Sequence, residues 1–71
     1  MSSRKTYSRK LRNRRKELNM STEFVAEKLN CSTAAILAYE RGDRAPRLER
    51  MKAIAELYGM SIDELFFCKE D

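Results

Sequence analysis

Residues 21–42 read STEFVAEKLNCSTAAILAYERG. Ser21 carries a hydroxyl that can accept a backbone N–H bond at the start of a helix, and Val25, Ala26 and Leu29 follow at the i, i+1, i+4 spacing of a buried helical face. Asn30 tolerates the left-handed backbone that ends a helix, and Ser32 can cap a new helix two residues later, so the connection is very tight. The next helix is expected from Thr33 to Arg41. It stops at Gly42, and Pro46 a few residues on confirms that the helical run is over. At about 100° per residue, Ala35, Ile36, Tyr39 and Glu40 share one side, while Thr33, Ala34, Leu37, Ala38 and Arg41 share the other. The first side is expected to enter the core. The second is the candidate reading surface.

Helices are expected on both flanks of this pair. Upstream, Ser8 is the expected cap of a first helix reaching about Leu18, with Leu11 and Leu18 seven residues apart among charged neighbours. Downstream, a helix from Leu48 to Tyr58 sets Leu48, Met51, Ile54, Ala55 and Tyr58 along one side and ends at Gly59. Ser61 then pairs with Glu64 as a capping box for a last short helix that turns Ile62, Leu65 and Phe66 inward. The pattern predicts a compact all-α fold of five helices. A flexible basic arm is expected over residues 1–7, one helix-turn-helix domain over 8–67 and a tail over 68–71.

Seventy-one residues suit one domain with a modest core. No apolar run approaches the ~18 residues of a membrane span, and no apolar segment follows the basic N-terminus, so a cytoplasmic location is expected. The chain has two cysteines and no histidine, and Cys31 and Cys68 lack metal-ligand spacing, so no metal is expected. Cys31 reads as a small buried hydrophobe. Cys68 reads as an exposed thiol, with an interchain bridge as the sharper alternative. Asp63 and Glu64 are adjacent acids, but they stand at a helix start, where acids complement the macrodipole. No nucleophile–base set and no glycine-rich phosphate loop occurs, so neither catalysis, a cofactor nor a small-molecule ligand is expected.

Charge is divided between the ends. Arg4, Lys5, Arg9, Lys10, Arg12, Arg14, Arg15 and Lys16 meet no acid before residue 17, whereas Glu56, Asp63, Glu64, Glu70 and Asp71 face only Lys69 after residue 53. Such asymmetry in a chain of net charge +4 suggests that one end faces a polyanion.

The two-helix segment resembles the lambda-repressor-like, Cro-type helix-turn-helix family of phage and bacterial regulators. Ser21, Ala26, Leu29, Ser32, Ile36, Glu40 and Gly42 carry the resemblance. It continues through Pro46, Leu48, Ile54, Ala55, Gly59 and the run Ser61 to Leu65, in all about residues 9–66. It implies a non-enzymatic transcription regulator, most simply a repressor, that sets its third helix in the major groove of double-stranded DNA. Groove-facing positions would be Thr33, Ala34, Leu37 and Ala38. Thr22 and Ser32 at helix starts, Arg41, Arg44 and Arg47 in and after the helix-ending loop, and Lys10 would meet the backbone or minor groove. The family often pairs an arginine at the place of Arg15 with a glutamate at that of Glu40; the alternative is Arg15 on phosphate or in solvent. Such domains commonly form two-fold dimers, and Phe66 and Phe67 are the candidate contact, Phe67 being the one expected to stay exposed.

The sequence departs from the family on the reading surface. Where readers usually carry Gln, Asn, Arg or Ser, only Thr33 can hydrogen-bond, and Ala34, Leu37 and Ala38 offer apolar contacts such as those with thymine methyls. Phe24 stands where a polar residue is usual and forms an apolar patch with Leu37 in this reading. Two further uses of the fold follow: a protein partner bound through the Phe24/Leu37 face, or nonspecific nucleic-acid binding through the basic arm.

Overall fold

The computed structural model describes the backbone of residues 3–67 and the side chains of residues 7–67. Cys68 and the expected 68–71 tail lie outside the described residues, as do the side chains of Arg4 and Lys5. Five helical segments follow one another: α1 (Ser3–Glu17), α2 (Thr22–Leu29), α3 (Thr33–Arg41), α4 (Leu48–Tyr58) and α5 (Asp63–Phe67), the last a single turn wound with π spacing. No strand occurs among the described residues. Helix α1 packs against α3 and α5, and α2 packs against α3 and α4.

Helix α1 starts five residues before the expected cap. Ser8 lies inside the helix and is buried. The physical cause is an apolar pair one turn apart: Tyr7 and Leu11 are both in the core, and the Tyr7 ring meets Phe66 edge-on with centroids 5.2 Å apart. Residues 3–7, expected within a flexible arm, are therefore helical, and Tyr7 belongs to the domain.

Helices α1 to α4 leave by the same route. Asn19, Asn30, Gly42 and Gly59 all adopt positive φ, at 57°, 58°, 83° and 70°. The following residue then donates its N–H five residues back: Met20 to Arg15 O, Cys31 to Ala26 O, Asp43 to Ala38 O and Met60 to Ala55 O, at 2.9–3.0 Å. These bonds satisfy carbonyls that a helix end otherwise leaves open. Three residues, Asn30, Cys31 and Ser32, thus suffice to join α2 to α3.

The core gathers Tyr7 and Leu11, Val25 and Ala26, Ala35, Ile36 and Tyr39, Ile54, Ala55 and Tyr58, and Leu65 and Phe66. Two expectations about it need correction. Leu48 is 56% exposed: it opens α4 a full turn before the half-buried Met51, beyond the edge of the packed face. Cys31 is half-buried on the rim, because the tight turn holds it at the surface. The capping box of α5 forms in both directions, Glu64 N donating to Ser61 Oγ and Ser61 N to Glu64 Oε1, each at 3.0 Å. The Ser61 N–H holds the Glu64 carboxyl below the usual carboxylate range.

Candidate nucleic-acid interface

Helix α3 is fixed at both ends and on one side. Ser32 Oγ accepts the Ala35 N–H at 3.2 Å, Gly42 closes the C-terminus, and Ala35, Ile36 and Tyr39 are buried. Glu40 completes the inner side. Its carboxylate accepts Arg15 Nε at 2.7 Å and Nη2 at 3.1 Å, with 6% of the Glu40 side chain and 12% of the Arg15 side chain exposed. Arg15 also donates Nη1 to the Met20 carbonyl at 2.9 Å. These partners fix the orientation of the guanidinium, and the Glu40 hydrogen bonds hold its pKa above the ordinary arginine value.

With the inner side committed, the outer side of α3 faces solvent. Ala34, Leu37 and Arg41 are exposed, and Thr33 and Ala38 are half-buried. The predicted division of faces is the observed one. Thr22 is half-buried at the start of α2, and Ser32 is exposed but has its oxygen engaged in capping. Phe24 is 39% exposed, and the Lys28 ammonium sits 5.4 Å from its ring centroid, a cation–π contact that shields part of the ring.

Past α3, the loop to α4 carries Arg44 and Arg47, both exposed. They line a shallow groove with Tyr39, Ala45, Glu49, Arg50 and Ala53. Arg47 is also the cap residue of α4 and makes no side-chain cap bond, so no side chain of the cap residue covers the first amides of α4. Arg50 is a member that sequence reading missed; the three-residue spacing of Arg44, Arg47 and Arg50 was its signal.

Two expected members stand elsewhere. Lys10 donates its ammonium to the Glu64 carbonyl at 3.2 Å, beside α5. Phe66 is buried against Tyr7, because the π-wound turn directs it inward, and it is not available to a dimer contact; Phe67 is 62% exposed. Arg14, one charge of the basic run before residue 17, serves the fold. Its Nε donates to the Tyr58 carbonyl at 2.9 Å, at the last residue of α4, and its Nη1 pairs with Glu17 at 3.2 Å. A cation there complements the negative end of the helix. Tyr7, Leu11, Arg14, Arg15 and Leu18 fall at i, i+4, i+7, i+8 and i+11, so both arginines lie on the inward stripe and find acceptors inside the domain.

A family model described as helix-turn-helix matches residues 11–65. The transcriptional repressor RstR of the cryptic phage CTXphi, from Vibrio cholerae, is 37% identical over 59 residues, covering 83% of this chain and 53% of RstR. The HTH-type transcriptional activator BcrR of Enterococcus faecalis is 34% identical over 64 residues, covering 90% of this chain and 31% of BcrR. The chain spans about half the length of the first and under a third of the second. Among solved structures, the DNA-binding domain of BldD from S. venezulae matches with a TM-score of 0.76 at 34% identity, over 89% of this chain and 94% of that domain.

Proposed function

The chain belongs to the helix-turn-helix family, of the Cro/C1 type, and on that premise we propose that it is a sequence-specific, double-stranded-DNA-binding transcriptional regulator that sets α3 in the major groove. The observation that carries the proposal is the outer face of α3, left open by a fully committed inner face and followed by exposed Arg41, Arg44 and Arg47. Arginines so placed neutralise phosphates on either side of a groove-bound helix, while Thr33, Ala34, Leu37 and Ala38 meet base edges. The likeness to the BldD DNA-binding domain supports binding to DNA, and the likeness to RstR supports repression as its sense.

Several parts of the reading complete this proposal. The protein binds without catalysing a reaction and acts in the cytoplasm; among the described residues no helix is long and apolar enough to cross a membrane. Arg4 and Lys5 serve as a basic lead-in to the backbone. Two copies associate through the exposed Phe67 and read half-sites about 34 Å apart on one face of the duplex.

The test is selection of bound duplexes from a random pool at near-physiological salt, with Arg44→Ala/Arg47→Ala as the control. Enrichment of a palindromic motif that the control fails to enrich is the expected result. Binding without enrichment that disappears as salt rises would remove sequence-specific regulation from the reading.

A further inference from the structure

Ahead of Arg41, the open side of α3 offers a DNA duplex almost nothing but hydrocarbon. Of Thr33, Ala34, Leu37 and Ala38, only Thr33 has a hydrogen-bonding side chain, and Leu37 is 36% exposed at the middle of the helix. At 1.5 Å per residue, Thr33 to Ala38 covers about 7.5 Å, or about two base-pair steps of 3.4 Å. Such a face spans two or three successive base pairs.

What it can recognise follows from groove chemistry. Guanine and adenine present N7 together with O6 or an amino group, and an aliphatic side chain pressed onto those edges strips their water without replacing it. Thymine alone among the four bases turns a methyl group toward the major groove. Leu37, Ala34 and Ala38 can bury that methyl at a gain. They have no atom with which to distinguish the O4 acceptor of thymine from the N4 donor of cytosine, and the Thr33 hydroxyl can either donate or accept.

Resting on the DNA-regulator reading above, we propose that α3 recognises pyrimidine 5-methyl groups: two or three neighbouring pairs of each half-site carry thymine under Leu37, Ala34 and Ala38, and 5-methylcytosine substitutes for thymine there. Base identity at these pairs is read as the presence or absence of one methyl group. Cytosine methylation within a half-site then converts a poorly bound sequence into a well bound one.

The experiment begins from the duplex enriched by selection and measures affinity by fluorescence anisotropy at fixed salt. Each thymine is replaced in turn by uracil, by cytosine and by 5-methylcytosine, with the paired base changed to match. Removing a contacted methyl should weaken binding about fourfold, on the scale of one buried CH₂, and 5-methylcytosine should bind more tightly than cytosine by a similar factor. Leu37→Ala, at a position outside the core, should lose the uracil sensitivity at its own pair while circular dichroism stays unchanged. Leu37→Gln should shift preference there toward adenine, which glutamine can grip at N6 and N7. A clear motif whose uracil duplexes all bind as well as thymine, or 5-methylcytosine binding no better than cytosine, overturns the methyl reading and leaves the regulator reading standing. Absence of any motif overturns both.

Discussion

Arg15 and Glu40 form a two-pronged ion pair, at 2.7 and 3.1 Å, that fastens α3 to α1 across twenty-five positions of sequence. Removing one partner leaves the other charged and nearly buried, so Glu40→Ala should cost about 3 kcal/mol of stability. An apolar replacement of both, Arg15→Met with Glu40→Leu, should recover most of that loss. Urea unfolding of Arg15→Met, Glu40→Leu and the double variant completes the cycle, and additive losses would refute the coupling.

Arg14 and Arg44 are both arginines of a basic protein, yet they should fail in opposite ways. Arg14→Met loses the bond to the Tyr58 carbonyl and should lower stability by about 1–2 kcal/mol. Its DNA affinity should keep the parental salt dependence. Arg44→Ala should leave the melting temperature in place and reduce the log–log salt slope by about 0.9. A reduced slope in Arg14→Met would mean that its guanidinium reaches phosphate.

The helix exits give a backbone test. Asn30 holds φ at 58° in the α2–α3 turn; an alanine there bears the left-handed penalty without asparagine's local hydrogen bonding. Asn30→Ala should destabilise by about 1 kcal/mol, and Asn30→Gly should be neutral or stabilising. Thermal melts distinguish this order from one set by side-chain burial, in which glycine would be the worse of the two.

At alkaline pH the weak point is Tyr58. Burial is the first cause that raises its phenol pKa above the ordinary value near 10; the neighbouring Glu40 charge adds to the rise and Arg15 opposes it. The folded state thus holds the proton more tightly than the unfolded chain. Its contribution to stability is complete below pH about 10 and is lost as pH climbs beyond it. Tyr58→Phe should flatten that alkaline fall in a pH series of urea midpoints; an unchanged slope would place the effect on another group.

Local signals were readable where one residue does one job. Ser21, Asn30, Ser32, Gly42 and the Ser61–Glu64 pair occupy the cap and exit positions their chemistry favours, and the two faces of α3 divide as the 100° spacing demands. The resemblance supplied Arg15 with Glu40, a contact that no local pattern contains. What stayed hidden depended on distant partners. Tyr7 reads as part of a polar arm until Phe66 is brought beside it, and Arg14 reads as one more positive charge until α4 ends against it. Lys10 likewise meets a carbonyl of its own chain, that of Glu64, which no local pattern announces. For Tyr7 and Arg14 alike, a residue on the inward stripe of α1 finds its partner only once the chain has folded.

The three-residue link between α2 and α3 has a mechanical corollary. With Asn30 closing one helix and Ser32 opening the next, no hinge remains between the helix that would rest on the sugar–phosphate rail and the helix that would enter the groove. The protein would arrive as a template of fixed pitch, and any misfit would fall on the nucleic acid. Sequences that bend or narrow easily would then be favoured even at pairs that no side chain reaches.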